Sequence, residues 1–237
     1  MHRALLLVMI LILSGTLSGE TVSGTILIKR KLTKRSVTAA VAIYQRGPAV
    51  ELAKDAAEDP LAFERSRVAI WIEGPGPSTP LPAGRDSASM QQSGRRFQPD
   101  MVVLAAGGTV AFPNMDVIFH NVFSLSGPRM FDLGNYTKGA SRSVTFPKPG
   151  IVYVNCHLHP NMAGVVVVTP NRWNAQSDGA GQFELRYVPP GVYTVVAWHK
   201  AAGYFRKTLQ ISPGSNPAIE FFIPLGALEP VSAALGR

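Results

Sequence analysis

Apolar residues in this chain recur in short runs, often at every second position, with turn residues between the runs. Alternation with a period of two is typical of strands that bury one face, and turns spaced about every 8 to 12 residues are typical of a sandwich or barrel. Predicted strands cover residues 21–28, 37–44, 68–72, 101–104, 109–112, 117–123, 143–146, 151–155, 164–169, 182–187, 192–198, 208–211 and 218–223. The pattern therefore predicts an all-β protein.

Three stretches depart from this alternation. Residues 165–168 are four consecutive valines, which predicts a strand covered on both faces. Residues 48–67 are rich in alanine and glutamate and predict one short helix or a loop. Residues 73–98 carry many Gly, Pro and Ser residues and almost no apolar periodicity, so we predict a long surface loop there.

The first 19 residues are typical of a signal peptide. His2 and Arg3 precede an apolar run over residues 4–13, and small residues follow it up to a cleavage site near Ser18 or Gly19. A run of that length is too short to span a bilayer, so we expect an exported, periplasmic protein with no transmembrane segment after cleavage. The alternative is an uncleaved membrane anchor.

The chain is basic, with 23 Lys and Arg residues against 15 Asp and Glu residues and a formal net charge of +8. This excess either steers the protein toward an acidic partner or an anionic surface, or serves solubility alone. Basic and aromatic residues are not interleaved, and the protein is expected to be exported, so we expect no nucleic-acid partner.

Cys156 is the only cysteine of the chain. Outside the cytoplasm it would have no intramolecular disulfide partner, and an exposed free thiol would oxidise. It is therefore a buried inert thiol, a nucleophile, half of an intermolecular disulfide or a metal ligand. His159 and Met162 follow at successive spacings of three and favour the metal ligand. No general base or oxyanion element is evident, which argues against a nucleophile. Because the sequence shows no substrate pocket or open coordination position, we do not expect an enzyme.

A fourth donor, His120, lies upstream. Two imidazoles, a thiolate and a weak thioether form the ligand set of a type 1 copper site, which cycles between Cu(I) and Cu(II). Strand alternation places His120 on the same side as Val122, and Cys156 on the same side as Val154, so both donors should point inward. We also expect a hydrogen bond between the segments of Asn121 and Asn155 to hold the pocket rigid.

The stretch from Phe112 to Val168 resembles the cupredoxin family of plastocyanin, pseudoazurin and amicyanin. The matching features are Pro113-Asn114, His120-Asn121-Val122, Gly150 before the strand that leads to Cys156, and the Cys156-x-x-His159-x-x-Met162 loop. The loop spacing is similar to that of amicyanin. Over about residues 97–200 the chain is most similar to plastocyanin-like proteins called methylamine utilisation proteins, which also carry a motif similar to residues 178–199.

The resemblance implies a Greek-key cupredoxin β-sandwich plus a smaller prealbumin-like sandwich unit of the carboxypeptidase-regulatory type. We divide the chain into a signal peptide (1–19), N-terminal strands and a long loop (20–96), a cupredoxin copper domain (97–170), the regulatory-like β-unit (171–226) and a tail (227–237). Residues 20–96 pair with either β-unit: either the cupredoxin takes strands from before residue 97, or the N- and C-terminal segments form one sandwich around it.

The resemblance further implies one-electron transfer between periplasmic redox partners, such as a dehydrogenase and a c-type cytochrome. Two other functions stay open from the sequence. One is copper binding and delivery in metal homeostasis. The other is a cell-surface interaction module in which the C-terminal sandwich is the working part. The roles of His157 and His199 are also open, with a surface role favoured for His157 and a structural or surface role for His199.

Overall fold

The computed structural model describes residues 19–32, 59–74 and 86–223. The predicted signal peptide up to residue 18, the predicted strand 37–44 and the predicted tail 227–237 lie outside these ranges. Within them the chain is almost entirely strand, which confirms the all-β class, and no helix of this part is long and apolar enough to cross a membrane.

The described elements, in chain order, are seventeen strands and one short helix. They are β1 (Glu20–Ile28), α1 (Ala62–Arg65), β2 (Val68–Glu73), β3 (Ser87–Ser89), β4 (Gln91–Gln92), β5 (Phe97–Gln98), β6 (Met101–Ala105), β7 (Thr109–Pro113), β8 (His120–Ser126), β9 (Arg129–Tyr136), β10 (Ser141–Thr145), β11 (Gly150–Asn155), β12 (Ala163–Thr169), β13 (Asn174–Gln176), β14 (Gln182–Val188), β15 (Gly191–His199), β16 (Gly203–Ile211) and β17 (Ala218–Ile223).

Four sheets stack as four layers. In layer order they are β14-β1-β17, β13-β2-β15-β16, β6-β12-β11-β8-β9 and β10-β7-β3, while β4 and β5 form a separate hairpin. One apolar cluster fills the space between the first and second layers, another the space between the second and third, and a third the space between the third and fourth. The described part of the chain therefore forms two β-sandwiches joined face to face. Layers one and two are the first sandwich, and layers three and four are the second.

The valine run lies in β12, at the centre of this stack. Val166 and Val168 pack into the cluster between layers three and four, while Val165 and Val167 pack into the cluster between layers two and three. All four side chains are buried. The prediction of a strand covered on both faces is confirmed, and its cause is that β12 lies in an inner sheet.

Strands before residue 97 divide between the two sandwiches. β1 lies between β14 and β17, and β2 lies between β13 and β15, so both join C-terminal strands. β3 instead pairs in parallel with β7 of the fourth layer. The chain therefore starts in one sandwich, builds the other, and returns to the first; the domain boundaries given above stay predictions.

Two sequence predictions were wrong in detail. Residues 87–98 are not surface loop throughout, because they form β3, β4 and β5 and bury Met90, Gln92 and Phe97. The strand predicted over 117–123 begins only at His120, and Val117 and Phe119 are exposed. The strands β3, β4 and β5 are short and polar, and alternation alone does not reveal their pairing. Residues 116–118 instead form a bend, in which Asn114 bonds to the N–H of Asp116 and the carbonyl of Ile118.

Candidate metal centre

Three potential ligand atoms converge in the second sandwich. Within the described residues, one donor atom each from His120, Cys156 and His159 lies within 4.8 Å of the others. Nδ1 of His120 is 3.1 Å from Nδ1 of His159, and Sγ of Cys156 is 3.7 Å from the same nitrogen. Atoms that each lie about 2 Å from one ion are about 3 to 4 Å from one another, so these separations suit a shared metal.

Strand ends deliver these donors. His120 is the first residue of β8, and Cys156 directly follows β11. Both side chains are buried, as strand alternation predicted, while His159 is partly exposed in the loop between β11 and β12. The N–H of Met162 donates to the carbonyl of His159 across 2.9 Å and closes this loop.

Met162 is buried against the same apolar cluster as Cys156, with 1% of its surface exposed. The loop therefore brings Cys156 and His159 together, and Met162 packs in the same apolar cluster as Cys156 between layers three and four. A metal held there would be shielded from water on the core side and would have His159 as its most exposed ligand.

The thiol of Cys156 receives a hydrogen bond from the chain next to His120. The backbone N–H of Asn121 donates to Sγ across 3.4 Å. The side chain of Asn121 is 1% exposed, and its Nδ2 donates to Oδ1 of Asp132 across 2.6 Å. Asn155 lies opposite Phe123 in the pairing of β11 with β8. The segments of Asn121 and Asn155 are thus neighbours, and the direct bond runs from Asn121 to the thiol.

Asp116 contacts the ring of His120, and the sequence analysis did not predict this contact. Its Oδ2 lies 2.8 Å from Nε2 of His120. The backbone N–H groups of Gly94 and Arg95 also donate to its carboxylate, across 2.8 and 2.9 Å. Burial alone would raise the pKa of Asp116, but these hydrogen bonds and His120 outweigh it and lower the pKa to about 2.

This contact decides which nitrogen of His120 faces the other donors. An ionised carboxylate only accepts hydrogen bonds, so Nε2 of His120 carries the proton and donates to Asp116. Nδ1 is then left with a lone pair that points at His159 and Cys156. A carboxylate behind a histidine ligand is the usual device that fixes the tautomer and the ring orientation at metal sites.

Asn114 holds Asp116 in place. Its Oδ1 accepts from the backbone N–H of Asp116 across 2.9 Å, and its Nδ2 donates to the carbonyls of Ile118 and Tyr136 across 3.0 and 2.9 Å. The Asn114 side chain is fully buried. An Asn-x-Asp turn directly after a strand was visible in the sequence, and it is the signal that would have pointed to Asp116.

Two further histidines lie outside the cluster. The ring of His157 stacks on Phe123 with centroids 3.7 Å apart, and its Nε2 is 3.3 Å from Oδ2 of Asp132. His199 is buried at the end of β15, with Nε2 3.3 Å from Oε2 of Glu64. His157 is half exposed beside the centre, whereas His199 belongs to the other sandwich.

The environment of His159 favours an unprotonated ring. Desolvation lowers the pKa of His159, and the positive charge of Arg95 lowers it further, which outweighs the opposite effect of Asp116. A neutral imidazole is the form that binds a metal.

The chemistry of this donor set fits copper. Two imidazoles and a thiolate suit both copper oxidation states, and a nearby thioether suits Cu(I). Two of the three close donors, His120 and Cys156, are buried and hydrogen-bonded to Asp116 and to the backbone of Asn121, while His159 is partly exposed. His120, Cys156 and His159 are therefore the residues that would hold copper, and Met162 as the weak fourth ligand stays a prediction.

No protein-family model matches the chain, and no curated protein matches it either. Solved structures do match in part. Amicyanin from Paracoccus versutus is 27% identical, with 42% of this chain and 97% of amicyanin covered at a TM-score of 0.32. A purple cupredoxin from Nitrosopumilus maritimus is 21% identical, with 35% and 99% covered and a TM-score of 0.32.

A copper-containing nitrite reductase from Thermus scotoductus is 27% identical, with 40% of this chain covered at a TM-score of 0.34. The match spans only 26% of that enzyme. All three similarities have low TM-scores and cover less than half of this chain. The ligand geometry, and not these similarities, therefore supports the function proposed below.

Proposed function

We propose that this protein is an exported carrier of single electrons that holds one type 1 copper ion. The observation that supports the proposal is the convergence of the His120, Cys156 and His159 donor atoms within 4.8 Å of one another. Copper supplies a one-electron couple when bound in such a site. His120 and Cys156 come from rigid strand ends, and Met162 lies in the same core, so the protein holds the ligands in one arrangement for both oxidation states.

The surrounding residues limit rearrangement during electron transfer. Asp116 fixes the ring of His120, and Asn121 donates to the thiolate of Cys156. Met162 and the apolar cluster exclude water from the core side. His159, the most exposed of the three donors, lies where electrons would enter and leave, and the partners would be redox proteins such as a dehydrogenase and a c-type cytochrome.

The proposal is tested by loading the purified protein with Cu(II) and recording visible absorption and electron paramagnetic resonance spectra. We expect an intense blue charge-transfer band and narrow copper hyperfine splitting, both lost in Cys156→Ala. Ser124→Ala is a matched control, since Ser124 is buried in β8 away from the donor cluster. A colourless or cysteine-independent copper complex would contradict the proposal. Rapid loss of copper to a chelator without reversible redox would indicate copper delivery instead.

A further inference from the structure

The β4–β5 hairpin presents two arginines beside the candidate metal loop. Ser93 and Arg96 exchange two backbone hydrogen bonds and close a two-residue turn, with Gly94 at φ 61° and Arg95 at φ 56°. Positive φ at both central residues is the geometry of a tight hairpin turn that favours Asn and Gly. Arg95 occupies it although an arginine in this region costs about 1 kcal/mol or more.

Such a residue is kept at a strained position when its side chain has a use there. The turn backbone is already tied down, because the N–H groups of Gly94 and Arg95 bond to Asp116. The side chains of Arg95 and Arg96 are exposed, and within the described residues no hydrogen bond or ion pair holds either guanidinium. Both positive charges are therefore available to a ligand at the surface.

These arginines line an open groove of about 550 Å³ that also reaches Arg67, Asp100 and Asn161. Asp100 forms a two-point ion pair with Arg67 and offsets its charge. The groove is left with the charges of Arg95 and Arg96. Asn161 belongs to the loop that carries His159 and Met162, so one wall of the groove is the candidate metal loop itself.

Exposed apolar side chains lie near Arg95 or directly before candidate ligands in the sequence. Arg95 lines a second, smaller groove together with Val117, which is 81% exposed. Phe119 and Leu158, which directly precede His120 and His159 in the sequence, are 55% and 45% exposed. Arginine mixed with large exposed apolar groups is typical of a protein interface, whereas a small anion needs only the charges.

We infer that the Arg95–Arg96 groove docks an acidic segment of a partner protein, with Asp or Glu carboxylates on the two guanidinium groups. Guanidinium and carboxylate match as planar two-point partners, and the +8 net charge of the chain would speed the approach of an acidic surface. This inference deepens the proposed function by naming the chemistry of the electron-transfer partner. Its electron-transfer part rests on that proposal, but the docking itself does not.

The first test is a titration of the ¹⁵N-labelled protein, before copper loading, with hexaglutamate at low salt. We expect amide shifts to change at Arg95, Arg96 and Asn161, and the binding to weaken at least tenfold when salt is raised. Hexalysine should give no shifts. Because copper is absent, a negative result here would overturn the docking surface while leaving the copper proposal intact, and a colourless copper complex would do the reverse.

Two variant pairs identify the groove. Arg95→Glu with Arg96→Glu should weaken hexaglutamate binding at least tenfold, whereas Lys148→Glu with Lys207→Glu, which changes net charge equally, should weaken it less than about threefold. Lys148 precedes β11 at the end away from Cys156, and Lys207 lies in β16. Arg95→Gly with Arg96→Ser removes the charges while relieving the turn, so an equal loss of binding excludes misfolding as the cause.

Three results would overturn the inference. Equal weakening by both charge-reversal pairs would show that net charge alone attracts the peptide. Competition by inorganic phosphate at the same concentration of charge would indicate a small-anion site. Stronger, Arg95-dependent binding to vesicles of phosphatidylglycerol than to hexaglutamate would indicate a membrane surface in place of a protein partner.

Discussion

At the residue scale, His120 uses its two ring nitrogens for different tasks. Nε2 donates to Asp116, and Nδ1 faces His159 and Cys156. Asp116 therefore orients a candidate ligand without being one itself. It also ties the hairpin turn to the same histidine, so that one carboxylate links the arginine-bearing turn to a candidate ligand.

We predict that Asp116→Ala lowers copper affinity by about 10- to 100-fold, because His120 loses the acceptor that fixes its tautomer and orientation. The measurement is a competition titration of Cu(I) against a chelator of known affinity. Asp178→Ala is the matched control, since the Asp178 side chain accepts a hydrogen bond from the N–H of Gln182 in the other sandwich. Equal affinity in Asp116→Ala and the unmodified protein would contradict a positioning role.

His199, at the end of β15, and Glu64, in α1, form a buried pair outside the donor cluster. The N–H of Ala201 donates to Nδ1 of His199, so the ring proton lies on Nε2, which faces Glu64. Burial lowers the pKa of His199, and this outweighs the opposite effect of Glu64. The folded protein therefore holds this histidine neutral to a lower pH than the unfolded chain does.

The sign of the pH effect follows. Above about pH 6.5, the pKa of histidine in the unfolded chain, His199 is neutral in both states and costs no stability. As the pH falls from there toward the lower pKa of the folded protein, only the unfolded chain takes up the proton, and the free energy of unfolding decreases. We predict a free energy of unfolding that decreases from pH 8 to pH 5.5, by at most about 1.4 kcal/mol per pH unit for one proton. His199→Gln should reduce that decrease in urea titrations, and His157→Gln, at an exposed ring, should not.

Sequence reasoning located the donors better than their supports. Alternation along β8 and β11 was enough to turn His120 and Cys156 inward, because a strand fixes side-chain direction at every second residue. Asp116 and Asp132 were not predicted. Each acts through a turn or a neighbouring strand brought close by pairing, and a single sequence does not state which strands pair.

At the element scale, the β4–β5 hairpin is short, polar and held by its surroundings. Its strands have two residues each, and Gln92 is fully buried, donating to Tyr136 and to the carbonyl of Phe112. Burial raises the pKa of Tyr136 to about 12, so its hydroxyl stays protonated and donates to the Phe112 carbonyl. Hydrogen bonds to neighbouring segments, rather than strand propensity, fix the hairpin.

We predict that Arg95→Gly raises the free energy of unfolding by about 1 kcal/mol, because glycine accepts the left-handed backbone without strain. Chemical denaturation measures the change. Arg96→Gly is the control, and it should destabilise the protein or leave it unchanged, since positive φ among non-glycine residues is found at Arg95 and Tyr187 in the described chain and not at Arg96. A lower free energy of unfolding in Arg95→Gly would contradict the interpretation that the backbone of Arg95 is strained.

The same polarity explains why the elements around the hairpin were hard to predict. β3 is Ser-Ala-Ser and β9 alternates weakly between exposed and partly buried residues. Neither carries the apolar signal on which strand prediction depends. β12 and β15, which are buried on both faces in the inner sheets, were predicted to within one residue at each end.

At the scale of the whole molecule, the two sandwiches share the apolar cluster between layers two and three. Val167 of β12 and Val196 and Trp198 of β15 meet there. The chain has three tryptophans. Trp173 packs between layers one and two, whereas Trp71 and Trp198 pack in the shared cluster. This shared cluster couples the stability of the two sandwiches.

We predict that the amide hydrogens of β8 (120–126) and β15 (191–199) exchange with solvent through one common unfolding event. The two strands should therefore show the same free energy of opening. Val167→Thr buries an unpaired hydroxyl in the shared cluster at a cost of about 1 to 3 kcal/mol and should separate the two values. Val166→Thr, on the opposite face of β12, should lower both together. Different values in the unmodified protein would contradict the coupling.

The chain leaves the first sandwich after β2 and returns to it at β13, and these two points lie side by side. β2 pairs with β13, with Trp71 opposite Asn174, and the N–H of Ile72 donates to the carbonyl of Trp173. Neighbouring strands are about 4.8 Å apart, a gap that a tight turn closes. In evolutionary terms the segment with the candidate metal site is placed like a cassette, because its loss or exchange in one genetic event would leave the described strand pairs of the first sandwich in place.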